Sequence, residues 1–174
     1  MIRIAHTAEL DAATLDAAHA LLEAVFEGEL TAQDWDNCLG GLHALAWEGE
    51  ALVGHAALIQ RRLVHGGRAW RVGYVEGVGV RADRRRRGIA GALMAELEAI
   101  IGRAYDFGAL GSSDEGLPFY TSRGWQPWRG ALRIVTLDGI EETPDEQGWI
   151  LVFGGDLDLD GDLLCADFRD GDVW

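Results

Sequence analysis

The chain of 174 residues contains two cysteines, three prolines and no lysine. Cys38 and Cys165 stand alone, without Cys-x-x-Cys or metal-ligand spacing; this excludes a disulfide-built scaffold and fits a reducing compartment. No Ser/Pro linker and no internal repeat interrupts the chain. The longest run without Asp, Glu or Arg is Asn37–Trp47, far short of the roughly 20 apolar residues needed to cross a membrane. Met1–Asp11 holds one Arg, two acids and no apolar stretch, so no secretory leader is expected and the expected location is the cytoplasm. His6, His19, His43, His55 and His65 show no paired spacing, so no metal site is expected. Ser112-Ser113 lacks the setting of a nucleophile elbow.

What is present describes an ordinary globular protein. Hydrophobic residues at 48% and charged residues at 25% are enough for a real core, and one domain over residues 1–174 is expected. The net charge of −14 is unevenly spread. Residues 1–60 hold ten acids and one base, residues 61–137 seven acids and thirteen bases, and residues 138–174 twelve acids and one base. A basic middle between acidic flanks suits an anion such as a phosphorylated cofactor on one surface and a polycation on another.

Periodicity divides the chain into short elements. Ile2–His6 reads as a strand. A helix capped by Thr7 or Asp11 runs to about Phe26, with Leu15, Ala18, Leu22 and Val25 on one face. Thr31–Cys38 reads as a second helix, in which Thr31 and Asp34 stand at capping-box spacing. Leu42–Trp47, Ala51–Leu63 and Ala69–Val80, joined by Gly-containing turns, predict an antiparallel meander. Helical spacing of Ile89, Leu93, Leu97 and Ile101 predicts a helix to about Tyr105. Phe107–Gly111 is a predicted strand and Leu117–Arg123 a short helix. Trp128–Leu137 and Trp149–Phe153 are predicted strands around a loop at Glu141–Gly148, and Asp156–Trp174 is an acidic tail. The fold class is mixed α/β, with a mostly antiparallel central sheet flanked by helices.

The sharpest chemical signal lies at Val78-Gly79-Val80-Arg81-Ala82-Asp83-Arg84-Arg85-Arg86-Arg87-Gly88-Ile89-Ala90. A strand runs into a basic loop that opens a helix at a glycine. The first amides of a helix lack intrahelical acceptors and form the positive end of its dipole, so this junction can cradle a pyrophosphate. A solvated basic loop or a nucleic-acid patch is the other use of such a run. Its shortness and lack of interleaved aromatics argue against nucleic acid.

Arg85-x-x-Gly88-x-Ala90 after Val78-Gly79-Val80 resembles the acetyl-CoA motif (Q/R)-x-x-G-x-(G/A) of the GNAT superfamily of N-acetyltransferases. Leu117-Pro118-Phe119-Tyr120-Thr121-Ser122-Arg123-Gly124-Trp125 is similar to that family's F-Y-x-x-x-G-(F/W) helix. Further segments resemble one branch, the aminoglycoside 2'-N-acetyltransferases. These are Trp35, Gly40–Leu45, His55-Ala56-Ala57, Ile59–Leu63, Gly73–Val78 and the final Gly171-Asp172-Val173-Trp174.

The resemblance implies the GNAT fold with splayed central strands, acetyl-CoA as cosubstrate, no metal, a polycationic aminoglycoside as acceptor, no nucleic-acid or membrane partner, and a homodimer. It places the pyrophosphate on the amides of Arg85, Arg86, Arg87, Gly88, Ile89 and Ala90, and the acetyl group against Val78, Gly79 and Val80. Glu76 becomes the base, acting through water because a carboxylate near pKa 4.3 cannot readily strip an ammonium directly. A strand Glu also pairs with an Arg such as Arg71. Tyr120 becomes the acid for the departing thiolate; a Tyr on a short amphipathic helix also simply packs.

The acceptor side implied is Glu29, Asp34, Trp35, Glu76, Gly77, Gly111, Ser112, Asp145, Glu146, Asp172 and Trp174. The carboxylate at Trp174 is counted with the catalytic groups. Carboxylates bind ammonium groups by charge-assisted hydrogen bonds. Asp34 has a competing task in its capping box. Glu29 and Glu146 stand where relatives carry Asp, and Ser112 lies one residue from where a serine is expected. Two other readings remain open: a GNAT enzyme for another cationic amine, such as a polyamine or amino sugar, and a non-catalytic acetyl-CoA- or polycation-binding module.

Overall fold

The computed structural model describes Met1–Trp174, and the chain forms two compact units. The first is Met1–Ile59 with Val75–Ile100, and the second Gln60–Tyr74 with Ile101–Trp174. In chain order the elements are β1 (Ile2–His6), α1 (Ala12–Val25), α2 (Ala32–Asn37), β2 (Leu42–Glu48), β3 (Ala51–His65), β4 (Arg68–Val80), α3 (Ile89–Ala104), β5 (Phe107–Gly111), α4 (Leu117–Ser122), β6 (Gln126–Pro127), β7 (Leu132–Thr136), β8 (Gly139–Glu142), β9 (Ile150–Phe153) and β10 (Leu163–Cys165). Strands β3 and β4 contribute to both units.

In the first unit, Asp11 rather than Thr7 caps α1: its carboxylate accepts from the Thr14 amide at 2.9 Å. Thr7 instead opens a single 3₁₀ turn. The helix buries Ala18, Leu21 and Leu22, while Leu15 and Val25 are half-buried. Left-handed Glu27 and Gly28 then reverse the chain. The capping box of α2 is present: Thr31 Oγ1 accepts from the Asp34 amide, and the Asp34 carboxylate accepts from the Thr31 amide at 2.8 Å. β1, β2 and β3 are antiparallel neighbours, with His6 opposite Leu42 and Leu45 opposite His55. At Gly54 the strand lies directly under α3, and a Cβ there would sit 2.9 Å from Ile89 and 3.1 Å from Leu93.

The second unit has the strand order β6-β9-β5-β4-β3-β10-β7-β8. β4 runs parallel to β5, with Val72–Tyr74 against Phe107–Ala109. That ladder is three residues long although β4 continues to Val80, as expected for splayed strands. The core gathers Leu63, Tyr74, Phe107, Trp128, Val152 and Leu163.

Two expectations change here. The predicted strand Trp128–Leu137 is broken. The Trp128 indole donates to Gly161 O at 2.9 Å, and Gly130 packs directly on Gly161, so only Leu132–Thr136 remains a strand. It turns back as a hairpin with β8, so the loop expected at Glu141–Gly148 begins only after Glu142. The acidic tail contains β10, parallel to β7 and antiparallel to β3. Leu159, Leu163 and Cys165 face inward, while Asp160 and Asp162 pair with Arg129 and Arg133 on the surface.

Filling the space at Gly54 overpacks the β3–α3 contact. Gly54→Val should lower unfolding stability by about 1–3 kcal/mol, read as a lower urea midpoint at unchanged m-value. An unchanged midpoint would mean that the helix is free to move away.

Candidate active site

The loop before α3 is less basic in effect than in sequence. Arg81 makes a two-pronged ion pair with Asp83 at 2.6 and 3.1 Å. Arg84 bridges Asp83 and Glu48 at 2.6 and 2.7 Å. These arginines hold the Asp83 and Glu48 carboxyls below their ordinary range. Arg85, Arg86 and Arg87 are exposed. Arg86 is left-handed (φ 61°), as is Gly88 (φ 80°), and nothing approaches the place where a Gly88 side chain would stand. The Gly88 carbonyl accepts from Ala92, so Gly88 precedes the first turn of α3. The amides of Gly88, Ile89 and Ala90 therefore have no acceptor within the helix. Open backbone at a sixteen-residue helix's positive end, flanked by exposed guanidiniums, fits a pyrophosphate.

Glu76, Gly77 and Val78 are half-buried on β4. Gly77 is left-handed (φ 53°), and a Cβ there would sit 2.6 Å from Cys38 Sγ and 3.0 Å from Leu22. Gly79 lies equally close to Leu22, at 2.9 Å. The segment is thus seated on α1 and the end of α2 where only glycine fits.

The histidines supply what the sequence reading missed. His43 and His55 are fully buried, on one face of neighbouring strands, with His43 Nδ1 2.9 Å from His55 Nε2. His55 Nδ1 lies 2.8 Å from Gly77 O, and His43 Nε2 lies 2.8 Å from Thr7 Oγ1. Burial pushes both imidazoles down to about 4. Spacing from the turn gave no signal: Glu48 pairs with Ala51 and Trp47 with Leu52, and only the register shift at Ala46/Trp47 brings His43 opposite Ala57, on the same face as His55.

The acceptor-side residues of the first unit are spread over several tasks. Glu29 is exposed, just past the Glu27–Gly28 reversal. Asp34 serves its helix cap. Trp35 is half-buried, stacks on His19 at 4.8 Å, and packs with the apolar clusters beneath α1.

In the second unit, Tyr120 is buried between Phe119 and Trp125, with ring centroids at 5.1 and 6.2 Å. Burial pushes its phenol up to about 12. Gly111 adjoins the main chain of Trp174, and Ser112 Oγ donates to Ser113 O at 3.0 Å. Trp174 is buried, and its indole donates to Thr143 Oγ1 at 2.9 Å. The Asp172 carboxylate accepts from the Trp174 amide at 3.1 Å. Buried Arg61 donates to Val173 O, Cys165 Sγ and Asp167. Glu146 is half-buried, and its carboxyl is held above the ordinary range, first by burial and then by the charges of Asp172 and Asp145. No group of three His, Cys, Asp or Glu is placed to hold a metal, and no helix is long and apolar enough to cross a membrane.

A cofactor loop opening α3 from a splayed β4, with a Phe-Tyr helix further on, defines a GNAT acetyltransferase. Comparison agrees: the model of the acetyltransferase (GNAT) domain matches residues 6–128, and the chain belongs to that family. It is 40% identical to the aminoglycoside 2'-N-acetyltransferase of Mycolicibacterium fortuitum, over 99% of this chain and 91% of that protein. Two solved structures share the fold. Eis1 from Mycobacterium abscessus has a TM-score of 0.61 at 25% identity; the match covers 75% of this chain but only 32% of that longer one. A GNAT family acetyltransferase from Brucella melitensis, solved with acetyl-CoA, has a TM-score of 0.61 at 18% identity, over 94% of both chains.

The histidine pair makes stability depend on pH. Unfolded imidazoles titrate near 6.5, and the folded ones near 4. As pH falls through 6.5 the unfolded chain gains protons that the folded chain refuses, so stability is full above 6.5 and is lost down to about 4. At pH 5 the loss is roughly 2 kcal/mol per histidine. Urea unfolding at pH 7.5 and pH 5 should show it; equal stabilities would mean that the pair is not held neutral.

Proposed function

We propose that this chain transfers the acetyl group of acetyl-CoA to the 2'-amine of aminoglycosides in the cytoplasm, conferring resistance to them. The observation that carries the acceptor class is Glu146. A carboxyl kept above its ordinary range by burial and by two neighbouring carboxylates is relieved when a cation arrives. A ligand with several ammonium groups answers that need, and the similarity to the M. fortuitum aminoglycoside 2'-N-acetyltransferase supports the 2'-amine as the acceptor. Asp172, Asp145, Trp174, Gly111 and Ser112 are the other acceptor-side residues we propose in the second unit; in the first unit they are Glu29, Asp34 and Trp35.

Acetyl-CoA supplies an activated thioester. The amides from Arg85 to Ala90 hold its pyrophosphate, with Arg85, Arg86 and Arg87 neutralising the charge. Val78 N–H polarises the acetyl carbonyl, and Gly79 and Val80 continue the same edge. Glu76 takes the amine's proton through a water molecule, since direct transfer from an ammonium several pKa units higher is costly.

Tyr120 acts as a hydrogen-bond donor. A phenol pushed up to about 12 stays protonated throughout the working range. Handing its proton completely to a thiolate whose thiol has a pKa near 8.5 would cost roughly 5 kcal/mol. A donated hydrogen bond stabilises the departing sulfur without that cost. The protein works as a homodimer in this reading, as the family resemblance implies.

Thiol release from acetyl-CoA should occur with tobramycin, which carries a 2'-amine, and not with amikacin, which carries a hydroxyl there. Turnover with both would place the acetylated amine elsewhere. Tyr120→Phe should lower kcat roughly 10²–10³-fold with little change in CoA affinity; an unchanged kcat removes Tyr120 from the chemistry. Glu146→Gln should raise the aminoglycoside KM roughly 10- to 100-fold, the loss of one charged hydrogen bond. An unchanged KM would move the ammonium site away from Glu146.

A further inference from the structure

The hydrogen bonds linking Thr7, His43, His55 and Gly77 have only one consistent direction. The Gly77 carbonyl can only accept, so His55 Nδ1 carries a proton and donates at 2.8 Å. The imidazole is neutral, so His55 Nε2 accepts, and His43 Nδ1 donates to it at 2.9 Å. His43 Nε2 in turn accepts from Thr7 Oγ1–H at 2.8 Å, and Thr7 Oγ1 accepts from the Gly40 amide at 2.9 Å. Each ring nitrogen is used once. The first link is held by strand pairing, with Ala5 opposite His43 and the Thr7 amide on Gly41 O at 2.9 Å.

The far end of this chain is one peptide plane. A trans peptide holds its C=O and N–H rigidly antiparallel. A donor that fixes the direction of Gly77 O therefore fixes the opposite direction for Val78 N–H. This matters at Gly77 more than elsewhere on β4. Its left-handed φ takes the backbone out of regular strand geometry at the point where the next peptide begins. Packing requires glycine here, and glycine leaves the peptide the most freedom to rotate.

We infer that Thr7, His43 and His55 are positioning residues that lock the Gly77–Val78 peptide, so that Val78 N–H is preset to polarise the acetyl carbonyl. This rests on the role proposed above for Val78 and assigns the reason that its amide is in place before acetyl-CoA arrives. Preset donors stabilise developing charge without reorganising at the moment of reaction, and the loss of one costs about 10²–10³ in kcat. Loosening rather than removing the donor should cost less.

Three variants separate this from a packing role. Asn puts an amide N–H where His55 Nδ1 stands and keeps the donor to Gly77 O. Gln reaches instead to the Nε2 position, and Ala donates nothing. His55→Ala and His55→Gln should each lower kcat roughly 10- to 100-fold, with KM for both substrates within about threefold of the parent. His55→Asn should recover most of kcat, although it is no better packed than Gln.

A second readout needs no acceptor. With acetyl-CoA labelled with ¹³C at the carbonyl and bound to the protein, the carbonyl resonance should lie downfield in the parent and in His55→Asn. It should return toward its free value in His55→Ala and His55→Gln, and the Val78 amide ¹H–¹⁵N resonance should move with it in the ligand-free protein. Asn and Ala variants equal in kcat, or carbonyl and Val78 resonances indifferent to residue 55, would overturn the inference. A parent protein inactive on every aminoglycoside but showing these resonance changes would sink the proposed acceptor and leave the positioning role standing.

Discussion

A strand that turns left-handed against a helix can carry no ordinary side chain at that point, and β4 does so at Gly77. Cys38, Leu22 and His55 close on the place where a Cβ would stand, so the backbone itself is the packing surface. Much of the first unit is arranged around that contact. Leu22 comes from the buried face of α1, Cys38 from the end of α2, and His55 from β3. Glu76 and Val78, the flanking residues proposed to do chemistry, inherit their places from the glycine between them.

Electrostatics divides the labour elsewhere. Thirteen arginines lie in residues 61–137, but the structure cancels many of them locally. Arg81 and Arg84 are tied to Asp83 and Glu48, and Arg129 and Arg133 to Asp160, Asp162 and Glu142. Exposed pairs of this kind add little stability, and their main effect is to leave the field to the charges they do not neutralise. On the basic side these are Arg85, Arg86 and Arg87 before an open helix start. On the acidic side they are Glu146, Asp145 and Asp172, where burial and the two aspartates hold the Glu146 carboxyl above its ordinary range.

Much of this was legible in the sequence because it is written in local rules. The α2 capping box follows from Thr31 and Asp34 at fixed spacing, and the start of α3 from Gly88 after a basic loop. The family motifs around Gly88 and Tyr120 carried the fold class to the whole chain. The misreadings have long-range causes. Trp128 looks like a strand residue, but its indole is claimed by Gly161, 33 residues away. β10 hides in Asp156–Trp174 because its apolar positions, Leu163 and Cys165, are outnumbered by acids that point to solvent. The pairing of His43 with His55 is invisible in their spacing, since it depends on hairpin register and not on sequence separation. Nothing local to Arg61 shows its task, because its partners Val173, Cys165 and Asp167 lie more than 100 residues away.

The account as a whole stands on which nitrogen receives the acetyl group. The direct measurement is two-dimensional NMR of the product formed from tobramycin and acetyl-CoA, locating the new amide by its coupling to the sugar ring. The acetyl group should be found on the 2'-nitrogen alone. An acetyl group on any other amine, or no acetylated product, would contradict the account.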